Sequence, residues 1–524
     1  MAQIELTLGG EKVKLNKATD KAGLIFKDKD ISIISELGSK GIQRDLEVSN
    51  ESKNESSGEY ALFKLGGNSK KRRFKRTVKD YNKRNLGEVQ IATVYEYDNS
   101  QNILTGEFII KFKKNVTSET ITKYLKDHNM IVVQVYESSD SHFVIRFSNL
   151  TPDQAIEQIN NFQDEFIQYI EPNFVQIVDN KLSMSQSKNS NNIKGPNSTN
   201  IQSPNDPLLS SQWFHYNNGQ PRGKEFADIK TISAWNVSRG DARIVIAILD
   251  EGVDTKHPDL KDKIVNAYDA VEQDFSQDPQ PEAGHGTACA GIAGASTDNI
   301  LGVSGIAWNC KIMPVRIAKV NQERKWITST STIARGIRYA AERGARVINC
   351  SWRYAIPSWH INDAIDFAIS KNAVMVFAAG NENRSVNYPA KLSKTKSVVA
   401  VGATNEWDEF KSPSSMDNER WGSNFGPEIT LTAPGVHICT TDNSGIGNGY
   451  DKNSDYIFDF NGTSASAPMV SGAVAILLSI RPDLTPSQVI RLLVNSCDDK
   501  GTPNFDDYYG HGRLNILSLL TNPF

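Results

Sequence analysis

Residues 243–250 read RIVIAILD and begin the pattern that decides the fold of the C-terminal half of the chain. Three further apolar runs follow, at residues 312–317 (IMPVRI), 345–350 (ARVINC) and 374–379 (VMVFAA). Short, nearly continuous runs with many β-branched residues are typical of strands covered on both faces, as in a parallel sheet. Residues 330–343, between two of these runs, have the pattern of a helix. We therefore predict a doubly wound α/β domain with a mostly parallel sheet.

Three polar residues lie in glycine-containing turns beside the predicted sheet. Asp250 ends the first run, His285 lies in GHGT at residues 284–287, and Ser464 precedes an apolar helix predicted over residues 469–478. Reactive groups gather at the carboxyl ends of the strands in an open α/β sheet. The N-terminus of a helix also stabilises the negative charge that develops during acyl transfer.

Each of these residues, taken alone, has an ordinary explanation. An Asp at a strand end is often a turn former or a helix cap, and a His between glycines is more often structural than catalytic. A Ser in front of a helix is a good N-cap. Together, however, they follow the order Asp, His, Ser, which is one of the orders in which a catalytic triad occurs. The combination predicts nucleophilic catalysis by Ser464.

Three motifs extend these turns: DEGVDTKHPDL at 250–260, GHGTACAGIAG at 284–294 and NGTSASAPMVSG at 461–472. They resemble the three signature motifs of subtilisin-like serine proteases, and the resemblance spans about residues 204–515. It implies a serine endopeptidase that hydrolyses peptide bonds in a protein or peptide substrate. No cofactor enters the chemistry that the resemblance implies.

The resemblance also implies a role for each catalytic residue. Ser464 attacks the peptide carbonyl, His285 moves the proton, and Asp250 orients the imidazole ring. Residues 378–382 (AAGNE) resemble the oxyanion-hole segment of the family, so Asn381 is expected to donate its side-chain amide to the oxyanion. The alternative for Asn381 is a turn residue in the left-handed region.

Glu251 follows Asp250 at a position where the family more commonly has Thr or Ser. We expect this departure to be tolerated. An added carboxylate close to His285 is expected to raise the pKa of that side chain.

The substrate groove also follows from the resemblance. Ser351, Trp352 and Arg353 match the segment beside which the family binds substrate as an added strand. Arg353 stands where a small residue is usual, which leaves the groove width and the specificity open. Glu382 matches a position at the rim of the primary pocket and Asn387 one near its base, which favours a polar or basic P1 side chain.

Residues 296–303 (STDNILGV) resemble the calcium loop of the family. Hard oxygen donors that converge on one loop suit Ca²⁺. The expected ligands are side-chain oxygens of Asp259 and Asn299, the carbonyl oxygens of Thr297, Leu301 and Val303, and an oxygen of Gln212. The alternative is a turn without an ion.

Changes in composition divide the chain into four predicted segments. Residues 1–100 are a β-rich extension of unknown function, and residues 101–180 are a compact α+β unit. Residues 181–205 are a flexible linker rich in Ser, Asn and Lys, and residues 206–524 are the catalytic domain.

The α+β unit is expected to inhibit the enzyme. We predict strands over residues 107–112 and 143–147 and helices over 118–128 and 151–162. Its closing stretch, YIEPNF at residues 169–174, resembles the propeptide of the family. The resemblance implies a self-inhibited precursor that is cleaved in the linker.

The basic run KKRRFKR at residues 70–76 is predicted to be a solvated loop. A processing site and a surface for an acidic partner are the alternatives for this run.

Composition excludes some partners. The 524 residues carry a net charge of −3, with 39% hydrophobic and 23% charged residues, which is the balance of a soluble protein with two or three domains. This charge does not favour nucleic acid or an anionic membrane. The N-terminal residues lack the apolar run of a signal peptide, and the five cysteines form no CxxC pair. We therefore expect free thiols and a cytoplasmic enzyme, with export by another route as the alternative.

Three functions compete at this point. The chain is an active endopeptidase restrained by its propeptide, a binding protein on an inactive protease fold, or a narrow processing enzyme inside the cell. The intact set of Asp, His, Ser and Asn argues against the second function.

Overall fold

The structure is a computed structural model that describes residues 3–26, 44–46, 59–65, 67–85, 89–136, 141–160, 164–179, 203–219, 223–280, 283–321 and 325–522. Most of the predicted linker (residues 181–205), namely residues 181–202, lies outside the described residues. The chain divides into two compact units. The first comprises residues 1–180, 318–334 and 355–363, and the second comprises residues 181–317, 335–354 and 364–524.

Eleven strands and three helices are described before residue 180. The strands are β1 (Gln3–Leu8), β2 (Glu11–Lys17), β3 (Lys21–Phe26), β4 (Arg44–Leu46), β5 (Glu59–Lys64), β6 (Val89–Ala92), β7 (Val94–Tyr97), β8 (Ser100–Phe112), β9 (Met130–Val135), β10 (His142–Phe147) and β11 (Ile167–Asp179). The helices are α1 (Gly67–Asn85), α2 (Ser118–Asp127) and α3 (Pro152–Asn160).

The remaining described elements lie between residues 203 and 522. The strands are β12 (Val245–Asp250), β13 (Tyr268–Asp269), β14 (Lys311–Arg316), β15 (Lys319–Val320), β16 (Lys325–Ser329), β17 (Val347–Cys350), β18 (Val374–Ala378), β19 (Val398–Thr404), β20 (Leu431–Pro434), β21 (Ile438–Thr441) and β22 (Tyr456–Phe460). The helices are α4 (Thr231–Ala234), α5 (His285–Gly294), α6 (Thr330–Glu342), α7 (Trp359–Ser370), α8 (Thr463–Ile480), α9 (Pro486–Ser496) and α10 (Ile516–Thr521).

The second unit is built on a seven-stranded sheet in the order β13-β14-β12-β17-β18-β19-β20. Every strand pair in this sheet is parallel. The four apolar runs correspond to β12, β14, β17 and β18, and their residues are almost entirely buried. The predicted doubly wound α/β domain is therefore confirmed.

The carboxyl ends of the strands carry the turns that hold the predicted catalytic residues, because parallel strands all end at the same edge of the sheet. β12 ends at Asp250, and β18 ends just before the turn that contains Asn381. α5 begins at His285, and α8 begins at Thr463, one residue before Ser464.

Helix α8 forms the centre of the hydrophobic core of the second unit. Among the described residues it is the one helix that is long and apolar enough to cross a membrane, and 89% of it is buried inside the fold. Such burial is typical of a core helix.

The first unit contains a nine-stranded sheet. Seven of its strands lie in the order β1-β2-β7-β8-β11-β16-β15, and β10 pairs with both β8 and β9. A second sheet has the order β4-β5-β3-β6, so the N-terminal extension is β-rich as predicted. Because β16 pairs with β11, residues 318–334 belong to this unit although they follow the predicted linker. β8 begins at Ser100 and pairs with β7, so one sheet also joins the extension to the α+β unit.

The prediction of a loop at residues 70–76 is wrong, because this basic run lies in α1. Lys and Arg are good helix formers, and Phe74 and Val78, four residues apart, bury one face of the helix. Lys70, Arg72 and Lys75 are exposed, so the helix presents its charges to solvent.

Candidate active site

Asp250 and His285 form a buried pair. His285 Nδ1 lies 2.9 Å from Asp250 Oδ1 and 3.0 Å from Asp250 Oδ2, and neither side chain is exposed to solvent. A carboxylate that contacts Nδ1 keeps the proton on that nitrogen and fixes the plane of the ring. Nε2 is then the atom that exchanges a proton.

Two opposing effects set the charge of His285. Burial lowers the pKa of the imidazole, but the contacts with Asp250 and Cys289 together outweigh burial, and the pKa is well above its ordinary value. An imidazolium at this position is therefore stabilised by the protein.

Gly286 allows the pair to form. A Cβ atom at this position would lie 2.0 Å from the carbonyl oxygen of Gly252 and 2.9 Å from Asp250 Cβ. Any larger residue would push α5 away from β12 and separate the imidazole from its carboxylate.

Glu251 caps the N-terminus of α5. Its Oε1 accepts the main-chain N–H of His285 at 2.9 Å, and the side chain is buried. The first N–H groups of a helix have no intrahelical acceptor, so a carboxylate here stabilises the helix end.

Ser464 lies in the first turn of α8 and is 6% exposed. Its Oγ donates to the carbonyl oxygen of Ser351 at 3.1 Å. Ser351 Oγ in turn donates to the carbonyl oxygen of Ser464 at 3.0 Å. The predicted nucleophile is therefore hydrogen-bonded to the predicted groove segment.

Asn381 is oriented by the residue in front of Ser464. Its Oδ1 accepts both the main-chain N–H and the Oγ1 hydroxyl of Thr463, each at 2.9 Å. Since Oδ1 is used in this way, Nδ2 is the group that can donate to a ligand. Gly462 has a φ of +127°, and a Cβ there would lie 3.0 Å from Asn381 Nδ2, so glycine permits this approach.

Cys289 lies one helical turn after His285 and was missed by the sequence analysis. Its Sγ lies 3.9 Å from His285 Nδ1 and donates to the carbonyl oxygen of Ser464 at 3.5 Å. Burial raises the pKa of this thiol, so it stays protonated. The spacing of four residues on a helix that begins at His285 is the signal that could have found it. All five cysteines are free thiols.

The predicted groove residues lie around one carboxylate. Arg353 Nε lies 3.2 Å from Glu382 Oε1, and Asn387 Nδ2 donates to Glu382 Oε2 at 2.9 Å. Trp352 is 6% exposed and packs edge-on against Phe377. The structure thus brings Arg353, Glu382 and Asn387 together and buries the ring of Trp352.

The predicted calcium loop lies beside Asp259, which is fully buried. Asn299 Nδ2 donates to Asp259 Oδ1 and the N–H of Val303 donates to Asp259 Oδ2, both at 3.0 Å. Asn299 Oδ1 accepts the N–H of Leu301 at 2.9 Å. Four of the six predicted ligands therefore contact one another.

The other two predicted ligands use side-chain atoms for contacts within the chain. Gln212 Oε1 accepts the N–H of Ser304 at 2.7 Å. Thr297 Oγ1 donates to the carbonyl oxygen of Ala295 at 3.1 Å and accepts the N–H of Gly305 at 2.9 Å. The carbonyl oxygen of Thr297 is the atom for which the resemblance implies a role.

Asp206 is a buried carboxylate beside this loop that the sequence analysis missed. It accepts the N–H groups of Asp298 and Asn299 at 3.0 and 3.1 Å and the hydroxyl of Ser304 at 2.6 Å. Burial raises the pKa of Asp206 despite these hydrogen bonds. No local pattern in the sequence marks this residue, because its partners lie more than 90 residues away.

The sequence model of the subtilase family matches residues 241–512. A thermophilic serine proteinase of Bacillus sp. is 32% identical over 421 residues, which cover 79% of this chain and 87% of that protein. A calcium-dependent protease of Nostoc sp. is 31% identical over 352 residues, which cover 60% of this chain and 51% of that protein.

The solved structures that are similar to this chain include one that matches over much of its length. It is fervidolysin from Fervidobacterium pennivorans, a keratinolytic enzyme related to subtilisin, with a TM-score of 0.64 and 25% sequence identity. The match covers 80% of this chain and 61% of that chain. The alignment with the Bacillus proteinase covers 79% of this chain, which is more residues than the range 241–524 contains. The similarity therefore also includes many residues before the catalytic motifs.

Proposed function

The chain belongs to the subtilase family of serine endopeptidases, and we propose that Asp250, His285 and Ser464 are its catalytic triad. The observation that carries this proposal is the fully buried contact of both Asp250 oxygens with His285 Nδ1. An imidazole held in this way presents Nε2 as a general base.

In the proposed mechanism, Ser464 Oγ turns from the carbonyl oxygen of Ser351 towards His285 Nε2. Oγ then attacks the carbonyl carbon of the substrate while Nε2 takes the hydroxyl proton. The proton passes to the leaving amine when the peptide bond breaks. Water repeats the cycle on the acyl-enzyme and releases the second product. Asp250 stabilises the imidazolium in both steps.

The oxyanion of each tetrahedral intermediate is bound by two donors. They are Nδ2 of Asn381 and the main-chain N–H of Ser464, which lies in the first turn of α8. The contact of Asn381 Oδ1 with Thr463 supports this role, because it orients the amide before substrate arrives.

A fluorophosphonate tests the triad directly, because it reacts with activated serines. We expect stoichiometric labelling of the wild-type enzyme once it is freed of its proposed propeptide, and none of Ser464→Ala. An unlabelled wild-type protein that remains folded would favour the binding protein on an inactive protease fold.

We also propose that the loop at residues 297–303 holds a structural Ca²⁺ ion. The chemistry of the donors fits, since a buried carboxylate, an amide oxygen and three carbonyl oxygens are hard ligands. Asn299 would have to turn its amide so that Oδ1 faces the ion. The calcium dependence named for the Nostoc relative supports the same proposal.

Residues 101–180 are proposed to act as an intramolecular inhibitor. The end of β11 adds to β16 as an antiparallel strand, with Val175 opposite Ser329 and Asp179 opposite Lys325. β16 lies within the residues matched by the subtilase family, so the α+β unit uses strand addition to a segment of the enzyme.

A buried carboxylate reinforces this contact. Glu171 is 1% exposed and accepts the hydroxyl of Ser358 and the main-chain N–H groups of Trp359 and His360, at 2.6, 2.9 and 3.1 Å. These N–H groups belong to the first turn of α7, where they have no acceptor within the helix. Both contacts support a propeptide that stays bound after cleavage.

We propose further that the enzyme is an intracellular processing protease with narrow specificity. The Arg353–Glu382 pair lies on the predicted groove segment and supports restricted access, and the five free thiols fit a reducing compartment. A peptide library profiled with the purified enzyme tests the specificity. Cleavage of a few related sequences is expected, whereas broad cleavage would favour a scavenging enzyme. Cell fractionation tests the location, and recovery in the medium would favour export.

A further inference from the structure

His437 lies between β20 and β21, outside the catalytic residues, and three carboxylates surround its ring. We propose that Glu419, His437 and Asp459 form a binding site for a divalent transition-metal ion such as Zn²⁺. The site is separate from the loop at residues 297–303, and the proposed proteolysis does not require it.

The distances within this group fit a shared ion. His437 Nε2 lies 3.6 Å from Glu419 Oε1 and 3.8 Å from Asp459 Oδ1, and one ligand atom from each residue lies within 4.8 Å of the other two. These separations are too long for N–H···O hydrogen bonds. Two donors bound tetrahedrally at about 2.0–2.2 Å from Zn²⁺ lie about 3.3–3.6 Å apart. Small side-chain movements would therefore complete the coordination.

The ring of His437 is already oriented for this role. Nδ1 lies 2.9 Å from Glu406 Oε1, and Glu406 is 4% exposed. A carboxylate that accepts the Nδ1 proton leaves Nε2 as the ligand atom and makes the imidazole a better donor.

Glu419 gives an independent reason for a cation. Its side chain is 8% exposed, and the nitrogen that pairs with its carboxylate is His437 Nε2, which lies 3.6 Å from Oε1. Burying a carboxylate is costly unless a cation or hydrogen-bond donors lie beside it. Lys411 does not fill this role directly, because its ammonium lies 3.0 Å from Asp417 and donates to the main-chain oxygen of Glu419.

The charges around His437 also leave room for a metal ion. Three carboxylates surround one imidazole, so the group stays negative even when His437 is protonated. The competing arrangement is an imidazolium without a metal, for which burial lowers the pKa of His437 but the carboxylates raise it to about 10. Metal binding near neutral pH would displace one proton from Nε2.

The donor set favours a transition metal over Ca²⁺. An imidazole nitrogen suits Zn²⁺, Co²⁺ or Ni²⁺, whereas Ca²⁺ prefers oxygen donors alone. His437 and Asp459 are 22% and 20% exposed, so an ion and a water ligand can reach the site from solvent.

The site is connected to the predicted nucleophile through Asn461. Asn461 Oδ1 accepts the N–H of His437 at 2.8 Å, and its Nδ2 donates to Asp459 Oδ1 at 2.9 Å. Ser464 follows three residues later. An ion at this site is therefore expected to stabilise the end of β22 and the turn before α8.

Zinc binding to the full chain with Ser464→Ala tests the proposal, because this background does not digest itself. The protein is stripped of metal, supplied with millimolar Ca²⁺ and titrated with ZnCl₂ against a chromogenic chelator. We expect a zinc equivalent with a dissociation constant in the micromolar range or tighter. Co²⁺ should occupy the same site and produce visible absorption bands.

Variants assign the bound ion to these residues. His437→Asn keeps a residue that tolerates the φ of +51° at this position, and Glu419→Gln and Asp459→Asn keep the size of each carboxylate. Each should weaken binding of this equivalent at least tenfold. His511→Asn, at an exposed histidine elsewhere in the second unit, should leave it unchanged. The difference between variants separates this ion from any that binds at Asp250, His285 and Cys289.

Several results would overturn the proposal. They are the absence of zinc binding, zinc binding in the His437, Glu419 and Asp459 variants that is as tight as in the Ser464→Ala chain, and displacement of Zn²⁺ by millimolar Ca²⁺. Circular dichroism and urea unfolding show whether each variant folds. If His437→Asn does not fold, Glu419→Gln and Asp459→Asn, which keep the size of each side chain, test whether these residues bind the ion.

Discussion

Ser464 is predicted to carry the covalent chemistry, although its side chain contributes little to the fold. Ser464→Ala removes one hydroxyl and one hydrogen bond without leaving a large cavity, so we expect a change in stability within about 1 kcal/mol. Peptidase activity should fall to background in a fluorogenic peptide assay. Ser479→Ala, in the same helix, is the matched control and should retain activity. Activity close to wild type in Ser464→Ala would contradict the assignment of the nucleophile.

Asn381 is expected to act on the transition state rather than on substrate binding. Asn381→Leu removes the Nδ2 donor, so kcat should fall about 10²–10³-fold, the size of effect known for loss of one such donor in this family. KM should change much less, because the oxyanion exists only after attack. Steady-state kinetics measure both constants.

Thr463→Val is the control for Asn381. It keeps the shape of the side chain and removes the Oγ1 contact that helps to orient the amide, together with the hydrogen bond that Oγ1 accepts from the N–H of Gly380. We expect a smaller loss of kcat than in Asn381→Leu. An effect of Asn381→Leu mainly on KM would instead make Asn381 a substrate-binding residue.

At the scale of an element, the loop at residues 297–303 is expected to respond to calcium. An ion that binds only the folded state stabilises it by about 2.7 kcal/mol when its concentration is a hundredfold above Kd. EDTA should therefore lower the thermal midpoint of the Ser464→Ala chain, and excess Ca²⁺ should restore it.

Asp259→Asn should abolish this response, because it removes the one buried carboxylate among the proposed ligands. Asp262→Asn changes an exposed aspartate three residues away and should preserve the response. A midpoint that is insensitive to EDTA and Ca²⁺ would leave the loop as a turn without an ion.

The contact between β11 and the first turn of α7 is expected to depend on pH. Burial raises the pKa of Glu171 from 4.5 to about 7. The folded state therefore holds this proton more tightly than the unfolded state, and stability should fall as pH rises from about 4.5 to about 7 and be constant above. The upper limit of the change is about 3 kcal/mol.

Glu171→Gln isolates this effect, since it keeps the side-chain size and cannot ionise. In the Ser464→Ala background, the free energy of urea unfolding should show a weaker pH dependence with Gln at position 171. The difference between the two chains should be confined to the range from about pH 4.5 to 7. Parallel pH profiles would mean that Glu171 does not titrate in this range.

At the scale of the whole molecule, the proposed propeptide predicts processing. An endopeptidase that works inside a cell, as proposed for this chain, needs restraint, and the end of β11 at Asp179 leads directly into the predicted linker. Cleavage is expected between residues 180 and 205, which gives a product that begins near Pro204 and runs to Phe524. Ser464→Ala should remain whole.

Intact mass spectrometry of purified wild-type and Ser464→Ala protein measures this processing. The two fragments of the wild type should co-purify, because β11 remains paired with β16. An uncleaved and fully active wild-type chain would favour the alternative, in which the N-terminal half stays attached as a targeting module.

Local patterns account for the parts of the molecule that could be predicted. The four apolar runs became strands of the parallel sheet because burial on both faces requires unbroken apolar residues. The helix over residues 330–343 and the strands near residues 107–112 and 143–147 were also predictable, because the spacing of apolar residues within each segment is typical of its secondary structure. The helix that contains residues 70–76 was not predicted, because most of these residues are charged and only Phe74 and Val78 form its apolar face.

The sequence by itself determined the parallel sheet and placed Asp250, His285 and Ser464 in turns next to it, because strand periodicity and turn chemistry act between near neighbours. Only the tertiary structure decided which distant side chains meet. His437 and the three carboxylates around it come from four separate segments, and β11 pairs with a strand about 150 residues later. Such contacts depend on how complete elements pack, and no pattern of neighbouring residues encodes the distance between them.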